Sequence, residues 1–119
     1  MIPKEYNEFI QNLIKKTKKE KVKWEIGTIQ SEVITTLSSK SIVLYKTKSA
    51  SEEKKLPKDK EEIIFSIRSS EGKVIDKFSC IEGEGNDWNM INKLYGIAIR
   101  QAKNIKSTVE DLNDYLQSL

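Results

Sequence analysis

The stretch whose side chains are best suited to bind a ligand is a run of lysines near the N-terminus. Residues 13–25 read LIKKTKKEKVKWE, in which six lysines fall within nine positions just before Trp24. Lysine ammonium groups bind phosphate, and a tryptophan ring can stack on a nucleobase, so the pattern is compatible with a polyanion site. The candidate polyanion-binding residues are Lys15, Lys16, Lys18, Lys19, Lys21 and Lys23.

We favour a structural interpretation of the same lysines. They fall in the last turn of a predicted helix and just beyond it, where positive charge stabilises the carbonyl end of the helix dipole. Arginine, which fits phosphate and bases better, occurs only as Arg68 and Arg100. The 21 basic residues face 18 acidic ones, and the resulting charge of +3 requires no anionic partner. Binding of nucleic acid or a nucleotide phosphate, aided by a second lysine cluster at 46–60, is the alternative.

The remaining groups that could do chemistry are acidic residues and one thiol. Residues 82–88 read EGEGNDW, and Glu82, Glu84 and Asp87 could hold a divalent cation or act as catalytic carboxylates. Their spacing lacks the ligand order of a calcium loop, and a flexible connection followed by a capped helix explains every residue. Cys80 has no cationic neighbour in sequence, so we predict that it is a small buried hydrophobe.

The sequence contains no histidine, and this excludes several catalytic mechanisms and one class of metal site. Ser-His-Asp and Cys-His nucleophile activation, His-ligated zinc and imidazole acid–base catalysis are excluded. We therefore assign no catalytic residue, no metal ligand and no cofactor, and we predict a protein that is not an enzyme. A lone cysteine, an N-terminus without a secretory signal and the lack of an apolar span indicate a cytoplasmic protein that does not enter a membrane.

Hydrophobic periodicity predicts the elements that must position these groups. The length of 119 residues suits one α+β domain covering 1–119. Apolar residues at helical spacing predict a helix over residues 3–19. From Lys21 the period changes to two, which places Val22 and Trp24 on a buried face and Lys21 and Lys23 on the opposite one.

Further alternating segments predict an antiparallel sheet of about five strands in meander order, with the helices on one face. The later strands are expected at 32–38, 41–48, 62–69 and 74–80. In the last of these, Val74, Phe78 and Cys80 are expected to face inward, although Asp76 interrupts that face. Residues 46–61 carry mixed charge and almost no apolar side chains, so we predict a mobile loop there.

The C-terminus carries a heptad pattern that predicts a long helix, capped by Asn86 or Asp87. At two of the seven heptad positions, every residue in the run is apolar or aromatic. One position is occupied by Trp88, Tyr95, Ala102, Val109 and Leu116, and the other by Ile91, Ala98, Ile105, Leu112 and Leu119.

The length of this helix predicts a homodimer. Residues 88–119 would span on the order of 48 Å at about 1.5 Å per residue, whereas a strand of about seven residues spans about 23 Å. The second half should therefore overhang the sheet and expose an apolar stripe that a second copy would cover. The candidate interface residues are Val109, Leu112, Tyr115, Leu116 and Leu119. The alternative is a break near Lys106, where residues 107–110 fit a capping box, with residues 107–119 folded back onto the N-terminal helix.

The order of these elements also resembles that of a recurrent group of small uncharacterised bacterial proteins. The shared features are an amphipathic helix with a Lys-Thr pair, a strand with tryptophan, a β meander with a Gly-Lys turn and a C-terminal helix with Leu-Tyr. The residues that carry the resemblance are Leu13, Lys16, Thr17, Trp24, Leu94 and Tyr95. The resemblance covers most of the chain and implies the same fold and a bacterial or phage source, but no activity.

Three classes of function remain after these exclusions. The first, favoured by the heptads, is a protein-interaction module that binds itself and an unidentified protein, as an adaptor, inhibitor or immunity-type protein does. The second is a nucleic-acid or nucleotide-phosphate binder that uses the lysine clusters. The third is a protein that sequesters a small molecule in a pocket between the sheet and the long helix.

Overall fold

The computed structural model describes residues 1–48 and 60–119. A short 3-10 turn at Lys4–Tyr6 leads into the first helix. The elements are α1 (Asn7–Lys18), β1 (Glu25–Ile26), β2 (Glu32–Leu37), β3 (Lys40–Lys48), β4 (Glu61–Arg68), β5 (Val74–Ile81), α2 (Asn86–Ala102) and α3 (Ile105–Gln117). This arrangement confirms the predicted α+β class, with two helices where the sequence suggested one long C-terminal helix.

The sheet is an antiparallel meander in the order β1-β2-β3-β4-β5. One of its faces packs against α1 and α2, because alternate residues of the strands join apolar side chains of both helices in one core. The buried members from the strands are Val33, Ile42, Leu44, Ile63, Phe65 and Cys80, and those from the two helices are Ile10, Leu13, Trp88, Ile91, Leu94, Tyr95 and Ala98. Removing these side chains from water is the main contribution to the stability of the fold.

The segment after α1 shows the predicted alternation but a shorter strand than expected. Val22 and Trp24 are buried while Lys21 and Lys23 are exposed, yet only Glu25–Ile26 pairs as a strand. The Lys23 carbonyl, which lies on the side facing β2, accepts a hydrogen bond from the Thr35 hydroxyl at 2.6 Å instead of from a strand N–H. The Gln101 amide accepts a hydrogen bond from Trp24 N at 2.6 Å and donates one to Val22 O at 2.9 Å. Gln101, from α2, therefore holds the outer edge of this segment, on the side away from β2.

The predicted inward position of Val74 is wrong. Cys80 is buried, but Val74 is 55% exposed. A β-bulge is responsible: Ile67 pairs with Asp76 whereas Arg68 pairs with Val74, so β5 contributes one extra residue at this step. The extra residue reverses the alternation at the start of β5, and the side chain of Val74 leaves the core face as a result.

Both ends of the predicted loop at 46–61 belong to strands. β3 continues to Lys48 and β4 begins at Glu61, so residues 46–48 and 61 belong to paired strands. Lys46 Nζ also lies 2.8 Å from a carboxylate oxygen of Glu61. The rest of the predicted loop, residues 49–59, lies outside the described residues.

The C-terminal heptad run is interrupted between α2 and α3. The predicted break near Lys106 is observed, at Lys103 and Asn104, whereas the fold-back of residues 107–119 that was expected with it is not. Asn104 adopts a left-handed conformation with φ 53°, which asparagine tolerates better than most residues. The Asn104 carbonyl accepts a hydrogen bond from Thr108 N at 2.9 Å, so this residue both follows the end of α2 and precedes the first turn of α3.

Candidate functional site

The apolar stripe of α3 is a large exposed hydrophobic feature of this chain. It contains the five side chains that the sequence assigns to an interface. Their exposed fractions are 57% for Val109, 59% for Leu112, 63% for Tyr115, 64% for Leu116 and 82% for Leu119. Large contiguous apolar patches are uncommon on soluble monomers and often mark surfaces that bind other proteins.

The predicted alternative, in which residues 107–119 fold back onto the N-terminal helix and bury the stripe, does not occur. No residue of α3, which is described throughout, is buried or belongs to the hydrophobic core. A helix of 13 residues is marginal in water without tertiary packing, because propagation over so short a length barely offsets the cost of nucleation. The stability of α3 therefore depends on what covers its stripe.

The acidic residues of 82–88 tie separate segments of the chain together. Asp87 Oδ2 accepts a hydrogen bond from Ile2 N at 2.9 Å. A carboxylate oxygen of Glu84 lies 3.3 Å from the Met1 ammonium, and Glu82 accepts from Glu61 N at 3.3 Å. Each carboxylate thus binds an N–H group of another segment, which gives all three residues a structural role.

The Cys80 side chain is fully buried in the core and is a free thiol. Burial raises the pKa of this thiol, because the thiolate would be poorly solvated there. The prediction that Cys80 is a buried hydrophobe is confirmed, and a raised pKa argues against a reactive thiol.

The lysine run is exposed along its whole length, while its tryptophan is not. Trp24 is only 4% exposed and its indole N–H donates to Thr17 Oγ1 at 3.0 Å, so the prediction that Trp24 belongs to the core is confirmed. The ring is therefore not available for stacking on a nucleobase. The run is also divided in space. Two of its lysines, Lys18 and Lys23, line a cavity, and the other four, Lys15, Lys16, Lys19 and Lys21, do not.

This cavity, called the joint cavity below, lies where the end of α1 meets the break between α2 and α3. Its volume is about 570 Å³. Trp24 and Ile97 form apolar parts of its wall, and the two hydrogen bonds of Gln101 hold the segment of Trp24 against α2. Its charged lining residues are Lys18, Glu20, Lys23, Arg100, Lys106 and Glu110.

Positive charge is concentrated beside this cavity. Lys93 of α2 lies close enough to Lys18 to lower the pKa of Lys18, through a side-chain hydrogen bond and through repulsion between the like charges. Ion pairs between described residues occur elsewhere, at Met1–Glu84, Lys46–Glu61 and Glu71–Lys73. Among the described residues, none of the cations that line the joint cavity has a carboxylate oxygen within 4.0 Å.

Several residues of this cavity are not predictable from the sequence. Arg100, Gln101 and Lys106 come from the far end of the chain, and no spacing rule connects them to Lys18. Asn104 is a possible position for the helix break, since asparagine is one of the few residues that adopt a left-handed conformation. The capping box at 107–110 is a stronger local pattern and places the predicted break near Lys106 instead. The space between the sheet and α2, where the sequence predicts a pocket, is filled by core side chains.

Within 1–48 and 60–119, no helix has the length and apolar character needed to cross a membrane. The same ranges contain no group of three or more histidine, cysteine, aspartate or glutamate side chains arranged to hold a metal ion.

Comparison of the chain with known proteins finds no matching family model, no similar curated protein and no similar solved structure.

Proposed function

We propose that this protein is a non-enzymatic assembly module of the cytosol that dimerises through the apolar stripe of α3. The observation that carries the proposal is that α3 is fully helical yet buries none of its residues. The core is complete without it, since the buried side chains come from residues 2–98. An amphipathic helix that the fold does not need for its core is best explained by a partner that covers its apolar face.

The spacing of the stripe favours a second copy as that partner. Along the seam, Ile105, Val109, Leu112, Leu116 and Leu119 are separated by alternating steps of four and three residues. The steps also alternate when the helix is read in the opposite direction. Two antiparallel copies of α3 would therefore present similar seams to each other, as a two-fold symmetric interface requires.

The edges of the sheet are poor sites for self-association. β1 has only two residues, which is too short to template another strand. On β5, the Lys77 N–H donates to Asp76 Oδ1 at 2.9 Å, and the Ser79 carbonyl accepts from the Met1 ammonium at 2.7 Å. Local partners thus occupy backbone groups of β5 that strand addition would need, which directs association to α3.

Sedimentation equilibrium at micromolar concentration tests the dimer. We expect wild-type protein to approach twice the chain mass of 13.7 kDa. The double variant Leu112→Asp with Leu116→Asp should remain a monomer, because two carboxylates per copy would be buried in the seam at a high desolvation cost. Retention of the cooperative thermal transition would show that the core is intact.

The matched control places the same two charges on the polar side of α3. Asn113→Asp with Gln117→Glu adds two carboxylates about 90° or more from the centre of the stripe, from the helical spacing of about 100° per residue. This variant should leave the dimer in place. A wild-type mass of 13.7 kDa at every concentration, or equal weakening by both double variants, would refute dimerisation through the stripe. The first result would leave a different protein as the candidate partner.

A further inference from the structure

The joint cavity has a pronounced excess of positive charge. Four cations line it, Lys18, Lys23, Arg100 and Lys106, against two carboxylates, Glu20 and Glu110. The cations come from α1, the following segment, α2 and α3, so the fold brings together charges that are far apart in sequence. Like charges held around one cavity repel each other, and an anion bound among them would relieve that repulsion.

Hydrogen bonds join three walls of this cavity, those from α1, the Trp24 segment and α2, before any ligand arrives. Gln101 joins α2 to the segment of Trp24, and Trp24 is joined to Thr17 of α1 by its indole N–H. Both Trp24 and Thr17 are buried at 4% exposure, so these contacts are shielded from water. Preorganised walls lower the cost of ordering the site when a ligand binds.

Backbone donors add to the side-chain cations. Ile105, Lys106 and Ser107 form the first turn of α3 and line the cavity, and the side chain of Asn104 makes no capping hydrogen bond to them. The amides at the start of a helix lack intrahelical acceptors and carry the positive end of the helix dipole. They can therefore supplement the four cations in binding phosphate oxygens.

We infer that the joint cavity binds a small phosphate-bearing molecule. Its volume of about 570 Å³ falls within the range of about 300–1,000 Å³ typical of small-ligand sites. Ile97, which is partly exposed, offers an apolar contact for the organic part of such a ligand, and the four cations and the α3 amides bind its phosphates. A single-stranded nucleic acid fits less well, because the Trp24 ring is buried and cannot serve as a stacking platform.

Isothermal titration calorimetry with pyrophosphate and with ATP tests this inference. Both probes should bind wild-type protein with one site per chain. Lys18→Gln and Arg100→Gln should each weaken binding about tenfold, the loss expected for one charge-assisted hydrogen bond. Glu110→Gln should have the opposite effect and tighten binding, because it removes a negative charge from the cavity wall.

The controls are lysines of the same run that do not line the cavity. Lys15→Gln and Lys19→Gln remove the same charge but should change the affinity by less than about twofold, because exposed charges at a distance are screened by salt. Equal weakening by these controls, or no binding of either probe at millimolar concentration, would refute the site. Stronger binding of a single-stranded oligonucleotide that depends on Lys15 and Lys19 would show that the lysine run is a general polyanion surface instead.

The result of the phosphate-binding test can be distinguished from the result of the dimerisation test. The variant with Leu112→Asp and Leu116→Asp changes residues that do not line the joint cavity, and Lys18 and Arg100 belong to α1 and α2, so it should still bind pyrophosphate, and adding Lys18→Gln to it should weaken that binding about tenfold. A monomeric wild-type protein that binds the probes would contradict the assembly proposal alone. A dimeric protein that binds neither probe would contradict the phosphate site alone.

Discussion

Helices α2 and α3 carry one heptad pattern but have opposite surroundings. In α2, Ile91 is completely buried against the sheet, whereas Leu112 of α3, at the same heptad position, is 59% exposed. Both helices are amphipathic, and only α2 lies over the strands. An apolar stripe therefore shows that a helix needs a surface to pack against, but not whether that surface belongs to the same chain.

The break at Asn104 separates the buried helix α2 from the exposed helix α3. α2 contacts α1 and strands of the sheet, and Gln101 near its end is bonded to the segment of Trp24. Beyond Asn104 the chain has left the sheet, and the side chains from Lys106 onward are exposed. The comparison can therefore be tested by weakening the contacts of α2, by exchanging equivalent residues in the two helices, and by removing the break.

The largest effect is expected from Trp24, which joins α1 to the end of α2. Trp24→Ala should lower the free energy of unfolding by about 3–5 kcal/mol, because it leaves a large cavity and removes the hydrogen bond to Thr17. Denaturant unfolding followed by circular dichroism measures this loss. The neighbouring Lys23→Ala is the control and should change the value by less than about 0.5 kcal/mol, since Lys23 is exposed. A fully stable Trp24→Ala protein would show that the Trp24 side chain contributes nothing to the core.

Two leucine substitutions compare the helices directly. Leu94→Ala in α2 should cost about 2–5 kcal/mol, because Leu94 is completely buried. Leu112→Ala in α3 should cost less than about 0.5 kcal/mol when measured at concentrations where the protein is monomeric. At concentrations that favour the dimer, the cost of Leu112→Ala should rise. Equal costs for the two substitutions in the monomer would mean that α3 is packed within its own chain.

The smallest effect on stability is expected at Asn104. Asn104→Ala penalises the left-handed conformation by about 1–2 kcal/mol locally, and alanine favours a helix, so α2 and α3 should merge into one straight helix. Because α3 supplies no core residue, unfolding of the core should change little. Asn104→Gly tolerates the left-handed conformation and should keep the break.

Electron–electron distance measurements between spin labels at positions 89 and 113 distinguish these two variants. Both positions are exposed, and labelled protein diluted with unlabelled protein avoids signals between copies. A straight helix would place the two positions about 36 Å apart, at about 1.5 Å per residue. The distance should be longer in Asn104→Ala than in wild type or Asn104→Gly. The same distance in all three proteins would show that Asn104 does not set the angle between the helices.

Much of the fold could be predicted because it depends on local periodicity. The alternation of Val22 and Trp24 with Lys21 and Lys23 predicted which side chains are buried, although the strand itself is short. The error at Val74 arose from a β-bulge. A bulge depends on how two strands pair, and it cannot be recognised from the alternation of side chains along one strand. The exposure of the α3 stripe follows from the length of the C-terminal helical region relative to the strands, which the sequence also provides.

The sequence by itself determined the α+β class, the meander, the burial of Trp24 and Cys80, and the existence of an apolar stripe near the C-terminus. It did so because side-chain period and helix rise are properties of the backbone that each segment expresses locally. The tertiary structure decided where α2 stops, what Gln101 binds and which cations share a cavity. Lys18 and Lys106 both line that cavity because α1 packs directly against α2, and no rule of sequence spacing connects residues from opposite ends of the chain.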